Sequence, residues 1–252
     1  FFEFVVWTSL FLIPMGKSKK APVWYFGFSA FGSFSLLVAV LIVRNVTGTL
    51  NIESLSTMSS GYIVTVLLLL AVAALSKLGA FPFHIWLPKV LKNSPDPISA
   101  VFSGGLEKLG AFVAVMGLLR FAPVGFNIDA ISMQAGNLVV AGLGALTIVF
   151  GTLMAIRQDD AKKLLAFSSM SNGGYILVAL ALLDSAGVAG GLYHILAHAL
   201  ASTAAFLAIA AVSRQTGTSK MSELGGHIHE MPITYLVYLI AIISMAGIPP
   251  MG

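Results

Sequence analysis

Two lysines lie well inside apolar stretches of this sequence, and their chemistry suggests ion transport. Lys77 comes near the end of SGYIVTVLLLLAVAALSKLGAF, and Lys108 lies near the middle of ISAVFSGGLEKLGAFVAVMGLL. A charged side chain within a membrane helix is energetically unfavourable and usually marks an ion path or a proton relay. Lysine suits proton transfer better than arginine, which stays protonated. The alternative for Lys77 is a structural role, in which its amine binds carbonyls freed by a helix break.

Two glutamates accompany these lysines. If the first segment is helical, Glu3 lies about 20 Å from Lys17 along the helix axis. Glu3 is predicted either to pair with a buried lysine or to lie at the solvent-exposed end of a helix. Glu107 is adjacent to Lys108, about a third of a turn round a helix, so we expect the two side chains not to face each other. Glu107 is predicted either to join a proton path or to contact an adjoining helix or subunit.

His194 and His198 are four residues apart and share one helix face, with Ser202 next along it. Imidazole exchanges protons near neutral pH, so a proton relay is the favoured interpretation. A haem or metal site and a hydrogen-bonded core histidine are the alternatives, although the glutamate of the zinc-protease pattern is missing. His84 is interpreted either as the place where protons enter or as an anchor at the membrane interface.

These residues are embedded in a sequence typical of a helical membrane protein. Of the 252 residues, 58% are hydrophobic and 10% are charged, and the apolar runs are continuous, which excludes the alternating pattern of a transmembrane barrel. The sequence has no cysteine, which excludes disulfides, thiolate metal ligation and iron–sulfur clusters on this chain. We predict no cofactor, no metal and no redox site of its own.

Eight membrane spans are predicted, and the third is broken. Pro82, close to Lys77, interrupts an apolar stretch longer than the roughly 20 residues that one span needs. Freed backbone groups and a charge at that depth are tolerated only beside protein or a wet cavity. Residues 1–252 are expected to form one transmembrane domain, and a chain that starts and stops inside apolar runs resembles a piece of a longer protein. The predicted spans are approximately 1–16, 22–43, 58–91, 98–121, 134–156, 161–183, 187–213 and 232–252.

The basic residues of the loops orient these spans. Arg44 and Arg120 lie on one side, and a larger set lies in the loops after spans one, three, five and seven. Because positive loops stay in the cytoplasm, the larger set is predicted to face the cytoplasm or its equivalent. Asp159, Asp160 and the two lysines after them are interpreted as a solvated cap of the sixth span. The larger set consists of Lys17, Lys19, Lys20, Lys89, Lys92, Arg157, Lys162, Lys163, Arg214 and Lys220.

Four segments resemble one membrane family, in the same order along the chain. They are KLGAFPFHIWLPKVLKNSPDPISAVFSGGLEKLGAF, RQDDAKKLLAFSSMSNGGYI, YHILAHAL and SMAGIPPMG. The family is that of the antiporter-like subunits of respiratory complex I, membrane-bound hydrogenases and multi-subunit cation/proton antiporters. The resemblance implies a bundle of about fourteen helices with two inverted repeats, of which this chain would hold helices five to twelve. It also implies a large complex with similar antiporter-like and redox-arm subunits, in a prokaryotic plasma membrane or the mitochondrial inner membrane.

The resemblance assigns candidate path residues one by one. Glu3 falls on the carboxylate of the family's fifth helix, and Lys77 falls on the lysine of its seventh. Lys108 matches a lysine that some members carry on the eighth helix, while His194 and His198 fall on the eleventh. In the family these groups form a hydrated mid-membrane axis along which protons move.

Two features depart from the family pattern. Ser202 stands where many members have a lysine, and the terminal residue of the twelfth helix would follow Gly252. The predicted function is proton translocation within a redox-driven membrane complex, so this chain would be a subunit of an ion-translocating oxidoreductase rather than its redox enzyme. A subunit of an ion-gradient-driven Na⁺/H⁺ antiporter and a membrane scaffold that moves no ion are the alternatives.

Overall fold

The computed structural model is mainly helical, with no β-strand in the residues that it describes. These are residues 2–16, 18–51, 54, 57–117 and 130–249, without the side chains of residues 2–5 and 130–136. Six helices in this part are long and apolar enough to cross a membrane, and two shorter apolar helices are Val6–Met15 and Pro232–Met245. The prediction of a multi-pass helical membrane protein is confirmed, and the first and eighth predicted spans correspond to the two shorter helices.

The boundaries of the α-helices match the predicted spans to within a few residues over most of the described chain. A π-helical turn, Phe102–Leu106, joins the two halves of the fourth span. The helices are α1 (Phe2–Ser9), α2 (Ala21–Thr47), α3 (Ser60–Leu78), α4 (Trp86–Asn93), α5 (Asp96–Val101), α6 (Lys108–Val115), α7 (Ala130–Ile156), α8 (Ala161–Ala181), α9 (Ser185–Thr216) and α10 (Pro232–Met245).

The third span breaks next to Lys77, as predicted. Helix α3 ends at Leu78, and Gly79 follows in the left-handed conformation (φ 65°) that glycine adopts readily. The chain resumes its helix at Trp86, whose indole N–H donates to the Ser76 carbonyl over 2.9 Å. A side chain therefore satisfies part of the backbone that the break leaves unpaired, as burial within a membrane requires.

Glycines at two positions allow the spans to approach closely. A Cβ placed on Gly110 of α6 would lie 2.3 Å from the amide nitrogen of Leu78, so α6 lies directly against the end of α3. A Cβ on Gly104 in the π-turn would lie 3.0 Å from the Ala199 carbonyl oxygen of α9. In addition, α7 packs against α8, α2 against α3 and α10 against α9. The broken span, the fourth span and α9 therefore meet inside the bundle.

Ion pairs join helix ends on the side predicted to face the cytoplasm. Lys162, at the start of α8, is buried and pairs with Asp96 at the start of α5. Arg214, near the end of α9, lies 3.8 Å from Oδ2 of the same aspartate, and Lys92 pairs with Asp160 at 3.0 Å. The loops after predicted spans three, five and seven thus share one end of the bundle. The prediction that Lys162 is solvated is wrong, because its amine is buried against a carboxylate from another span.

Asp160 caps α8 as predicted, and its surroundings favour the ionised form. Burial alone would raise the pKa of this carboxyl, but the Lys163 amide at 3.1 Å, Lys92 and the Ser219 hydroxyl at 2.9 Å together hold the pKa below its usual range. A carboxyl whose pKa is lower in the folded state stabilises the fold above its unfolded pKa. That stabilisation is lost as the pH falls through the folded pKa.

Asp160→Asn is expected to weaken this acid sensitivity while keeping the helix cap. As the pH drops below about 4, the melting temperature of the detergent-solubilised wild type should decrease. The melting temperature of the variant should be lower than that of the wild type at neutral pH, and it should decrease less on acidification. Asp160→Ala should lower the free energy of unfolding by about 1 kcal/mol more than Asp160→Asn does, because the helix cap is also lost. Asp184 caps α9 without a basic partner among the described residues, so Asp184→Asn is the matched control. An equal loss of acid sensitivity in both asparagine variants would contradict the assignment.

Candidate proton path

Lys77 lies in the last turn of α3, at the break. It is 5% exposed, and its amine donates to the Ser33 hydroxyl of α2 over 3.0 Å. A cavity of about 400 Å³ between α2, α3 and α6 reaches this lysine, and its other lining residues are apolar. The nearby Ser76 carbonyl is bound by Trp86, so pairing of that carbonyl does not require the lysine amine.

Glu107 and Lys108 form a buried ion pair, which corrects the prediction that they do not face each other. The Lys108 amine lies 3.3 Å from Glu107 Oε1, and the two side chains are 8% and 0% exposed. The prediction assumed a regular α-helix. Here the backbone before Glu107 is a π-turn, in which the Glu107 amide donates to the Phe102 carbonyl five residues earlier over 2.9 Å. Such turns occur mostly as single insertions and frequently at functional sites.

His194 and His198 stack on one face of α9, as their spacing predicts. Their ring centroids are 6.1 Å apart with an interplanar angle of 28°. His194 Nε2 lies 3.0 Å from the Asn172 side-chain oxygen on α8, which can accept a hydrogen bond from that nitrogen. His198 is 1% exposed, and neither of its ring nitrogens has a hydrogen-bond partner among the described residues. A buried imidazole with both nitrogens open can exchange a proton with a neighbouring group.

Lys108 connects the histidine pair to the broken span. It lies within electrostatic range of both imidazoles. Two residues further along α6, Gly110 contacts Leu78, the neighbour of Lys77. Leu78 also packs against α8 at Gly173, beside the asparagine that binds the first histidine. The helices that carry these titratable groups are therefore in contact in the order α3, α6 and α9.

The remaining predicted residues lie in three different surroundings. Glu3 belongs to α1, and its side chain lies outside the described residues. His84 is half-buried in the break, its ring centroid is 4.7 Å from that of Phe150, and its Nδ1 has no hydrogen-bond partner in the described part of the chain. Ser202 is buried and donates to the Ala199 carbonyl of its own helix over 3.3 Å. The hydroxyl of Ser202 is thus engaged by the backbone rather than by another titratable group.

Sequence reasoning missed the neutral polar groups that surround the charged ones. Asn172 and Ser169 belong to the run SSMSN, which is unusually polar for the middle of a membrane span. Because polar groups at that depth avoid lipid, this run predicts that the two side chains face the protein interior. Ser33 carries no comparable signal, because a serine in a membrane helix commonly bonds to its own backbone. Its contact with Lys77 depends on how α2 packs against α3.

The fold and the buried amines define a multi-pass membrane protein with an internal row of titratable groups. The family model described as "NADH:quinone oxidoreductase/Mrp antiporter, TM" matches residues 1–252. The chain belongs to this family, and the resemblance read from its four segments is confirmed.

Two of the known relatives belong to different kinds of complex. The NADH-quinone oxidoreductase subunit N of Desulforamulus reducens is 34% identical over 94% of this chain and 49% of its own length. A Na⁺/H⁺ antiporter subunit of Alkalihalophilus pseudofirmus is 31% identical over 100% of this chain and 51% of its own length. A chain of respiratory complex I from Thermus thermophilus superposes with a TM-score of 0.87 at 26% identity, covering 98% of this chain and 53% of that one. The chain thus spans about half the length of the curated relatives it matches.

Proposed function

We propose that this chain belongs to an antiporter-like subunit that moves protons through the cell membrane within a larger complex. The observation that carries the proposal is the position of Lys108, whose buried amine lies 3.3 Å from the Glu107 carboxylate and within electrostatic range of a stacked pair of imidazoles. Ionisable groups inside a membrane usually pair with one another and line ion pathways or proton relays. The proposed path consists of Glu3, Lys77, Lys108, His194 and His198.

The chemistry of this row favours H⁺ over Na⁺ as the transported ion. Hard metal cations bind several oxygen ligands at once, whereas four of the five path residues offer nitrogen. Amines and imidazoles hold and release protons, and burial beside a carboxylate tunes how readily they do so. His84, in the break, is the proposed place where protons enter from the cytoplasmic side.

The driving force in this proposal comes from partner subunits. We favour a redox-driven complex of the complex I or membrane-bound hydrogenase type, in which similar antiporter-like subunits and a redox arm lie beside this one. The relative that is a subunit of an NADH-quinone oxidoreductase supports this choice. The relative that is a Na⁺/H⁺ antiporter subunit supports the alternative, a complex driven by ion gradients.

His198→Phe in the reconstituted parent complex tests the proposal. Phenylalanine fills a similar volume without an exchangeable proton, so donor-driven proton uptake should fall about a hundredfold, within the range expected for a positioned proton-transfer group. His229→Phe, in an exposed loop, is the control and should pump normally. Normal pumping by His198→Phe would refute the path. Proton uptake driven by an imposed Na⁺ gradient, without electron donor, would assign the chain to the alternative complex.

A further inference from the structure

The carboxylate of Glu107 has surroundings that the row of amines and imidazoles does not explain. It neighbours Ser169 of α8, and the Ser169 hydroxyl shares a 2.6 Å hydrogen bond with Ser103 in the π-turn. Both serines are fully buried. Neither Glu107 oxygen has a hydrogen bond of good geometry to a described residue. A buried carboxylate without such bonds is costly to keep ionised unless a cation compensates it, so its charge depends on Lys108.

We infer that Glu107 takes up a proton during transport and thereby drives the proton of Lys108 on to His198. This inference rests on the proposed function. A proton arriving from the side of Lys77 forms an O–H bond on the Glu107 carboxylate. The Lys108 ammonium has then lost its counter-charge, so one of its N–H bonds breaks and the proton passes to an open ring nitrogen of His198. Glu107 next returns its proton to the neutral amine, which restores the ion pair. One proton enters and one leaves in each cycle.

Ser169 and Ser103 are positioning residues for this step. A hydroxyl can donate to an ionised carboxylate and accept from a protonated one, so Ser169 can support both states of Glu107. Ser103 shares the hydrogen bond that fixes the position of the Ser169 hydroxyl. The π-turn contributes as well, because an inserted residue turns everything after it by about 100° round the helix axis. The pair therefore faces α8 and α9, where the serine and the histidines lie.

Glu107→Gln in the reconstituted complex tests the inference. Glutamine keeps the shape of the side chain but cannot exchange the proton, so pumping should fall about a hundredfold. Glu107→Asp should recover part of the rate, and its pH–rate profile should be displaced from that of the wild type. In infrared difference spectra, the working wild type should show a protonated-carboxyl band that Glu107→Gln lacks. Absence of that band from the wild type would overturn the inference even if Glu107→Gln assembled poorly.

Ser169 and Ser171 of α8 provide a matched pair of variants. Ser169→Ala should slow pumping by roughly threefold to tenfold, the effect of one hydrogen bond, and should displace the pH–rate profile. Ser171, which also belongs to α8, shares a similar hydrogen bond with the Thr152 hydroxyl of α7, at 3.0 Å. Ser171→Ala should therefore leave both the rate and the profile unchanged. Equal effects of the two variants would contradict the positioning role.

A double variant separates the chemistry from folding. Glu107→Leu combined with Lys108→Met removes both charges, leaves none unpaired, and should assemble; we expect it not to pump. Normal pumping by Glu107→Gln, with His198→Phe inactive, would overturn the inference and leave the proposed function intact. Normal pumping by the double variant would overturn the inference and also remove Lys108 from the proposed path. If His198→Phe also pumped normally, the proposed function itself would be refuted.

Discussion

Replacing Lys77 by alanine is expected to abolish coupled proton transport while the complex still assembles. The substitution removes the amine at the break, and donor-driven proton uptake should fall by about a hundredfold or more. Assembly should persist, because the Ser33 hydroxyl that accepts from the amine can turn to its own helix backbone. The measurement is proton uptake by proteoliposomes containing the parent complex, with complex content determined in parallel. Wild-type uptake at normal complex content would refute the role of Lys77.

Two further lysine variants sharpen this experiment. Lys77→Arg keeps a positive charge that does not release its proton, so it should assemble and fail to pump. Lys19→Ala, at an exposed position near the start of α2, should behave as the wild type. If Lys77→Arg pumped normally, the lysine would act by its charge alone and not by proton release.

Lys108→Ala should differ from Lys77→Ala, because it leaves Glu107 buried without its cation. Removing one partner of a buried ion pair costs roughly 3–5 kcal/mol, so we expect this variant to lose assembly as well as transport. Adding Glu107→Leu should restore assembly without restoring transport. Restoration of pumping in that double variant would contradict the proton-carrying role of Lys108.

Gly110→Ala is expected to destabilise the bundle strongly without removing any charge. The added Cβ would lie 2.3 Å from a backbone nitrogen and 2.7 Å from the Cα of Leu78, and backbone atoms within a packed helix end cannot move aside singly. Helices α3 and α6 must therefore separate, which should cost about 3 kcal/mol, the upper part of the usual range for overpacking. The separation should also slow proton transport, because it moves Lys77 away from Lys108.

Gly105→Ala is the matched control for this substitution. A Cβ on Gly105, five residues earlier in the same span, would meet nothing within 4 Å. Its effect on stability should stay below about 1 kcal/mol, the usual difference between the two residues in a helix. Thermal denaturation in detergent, followed by helical content, measures both variants. Equal melting temperatures would show that α3 and α6 are not in close contact at Gly110.

The sequence was sufficient to predict the helical bundle and the break. Long apolar runs predict membrane spans because the backbone in lipid must bond internally, and Pro82 marks the interruption because proline cannot continue a helix. The common face of His194 and His198 also followed from their spacing. These features depend on the local chain alone, so no knowledge of neighbouring helices was needed.

Features that depend on contacts between spans were not predictable in the same way. The Glu107–Lys108 contact involves a π-turn, and the Ser103-Gly104-Gly105 run before it is only a weak signal for one. The position of Lys162 after two aspartates, in a polar segment, predicts that its side chain is solvated. Its actual partner, Asp96, lies 66 residues away along the chain, and only the packing of α5 against α8 and α9 brings the charges together.

The ion pairs on the side predicted to face the cytoplasm constrain how this bundle can move. Asp96, Lys162 and Arg214 connect three spans there, and Lys92 with Asp160 ties the broken span to the same end. Two further ion pairs, Lys220 with Glu223 and His227 with Glu230, lie in the loop after the seventh predicted span, on the same side. Helices that tilt during a transport cycle would pivot about this ion-paired end, so their displacement would increase towards the opposite membrane surface. The distances between spans would therefore increase at that surface, while the ion-paired ends would keep their positions relative to one another.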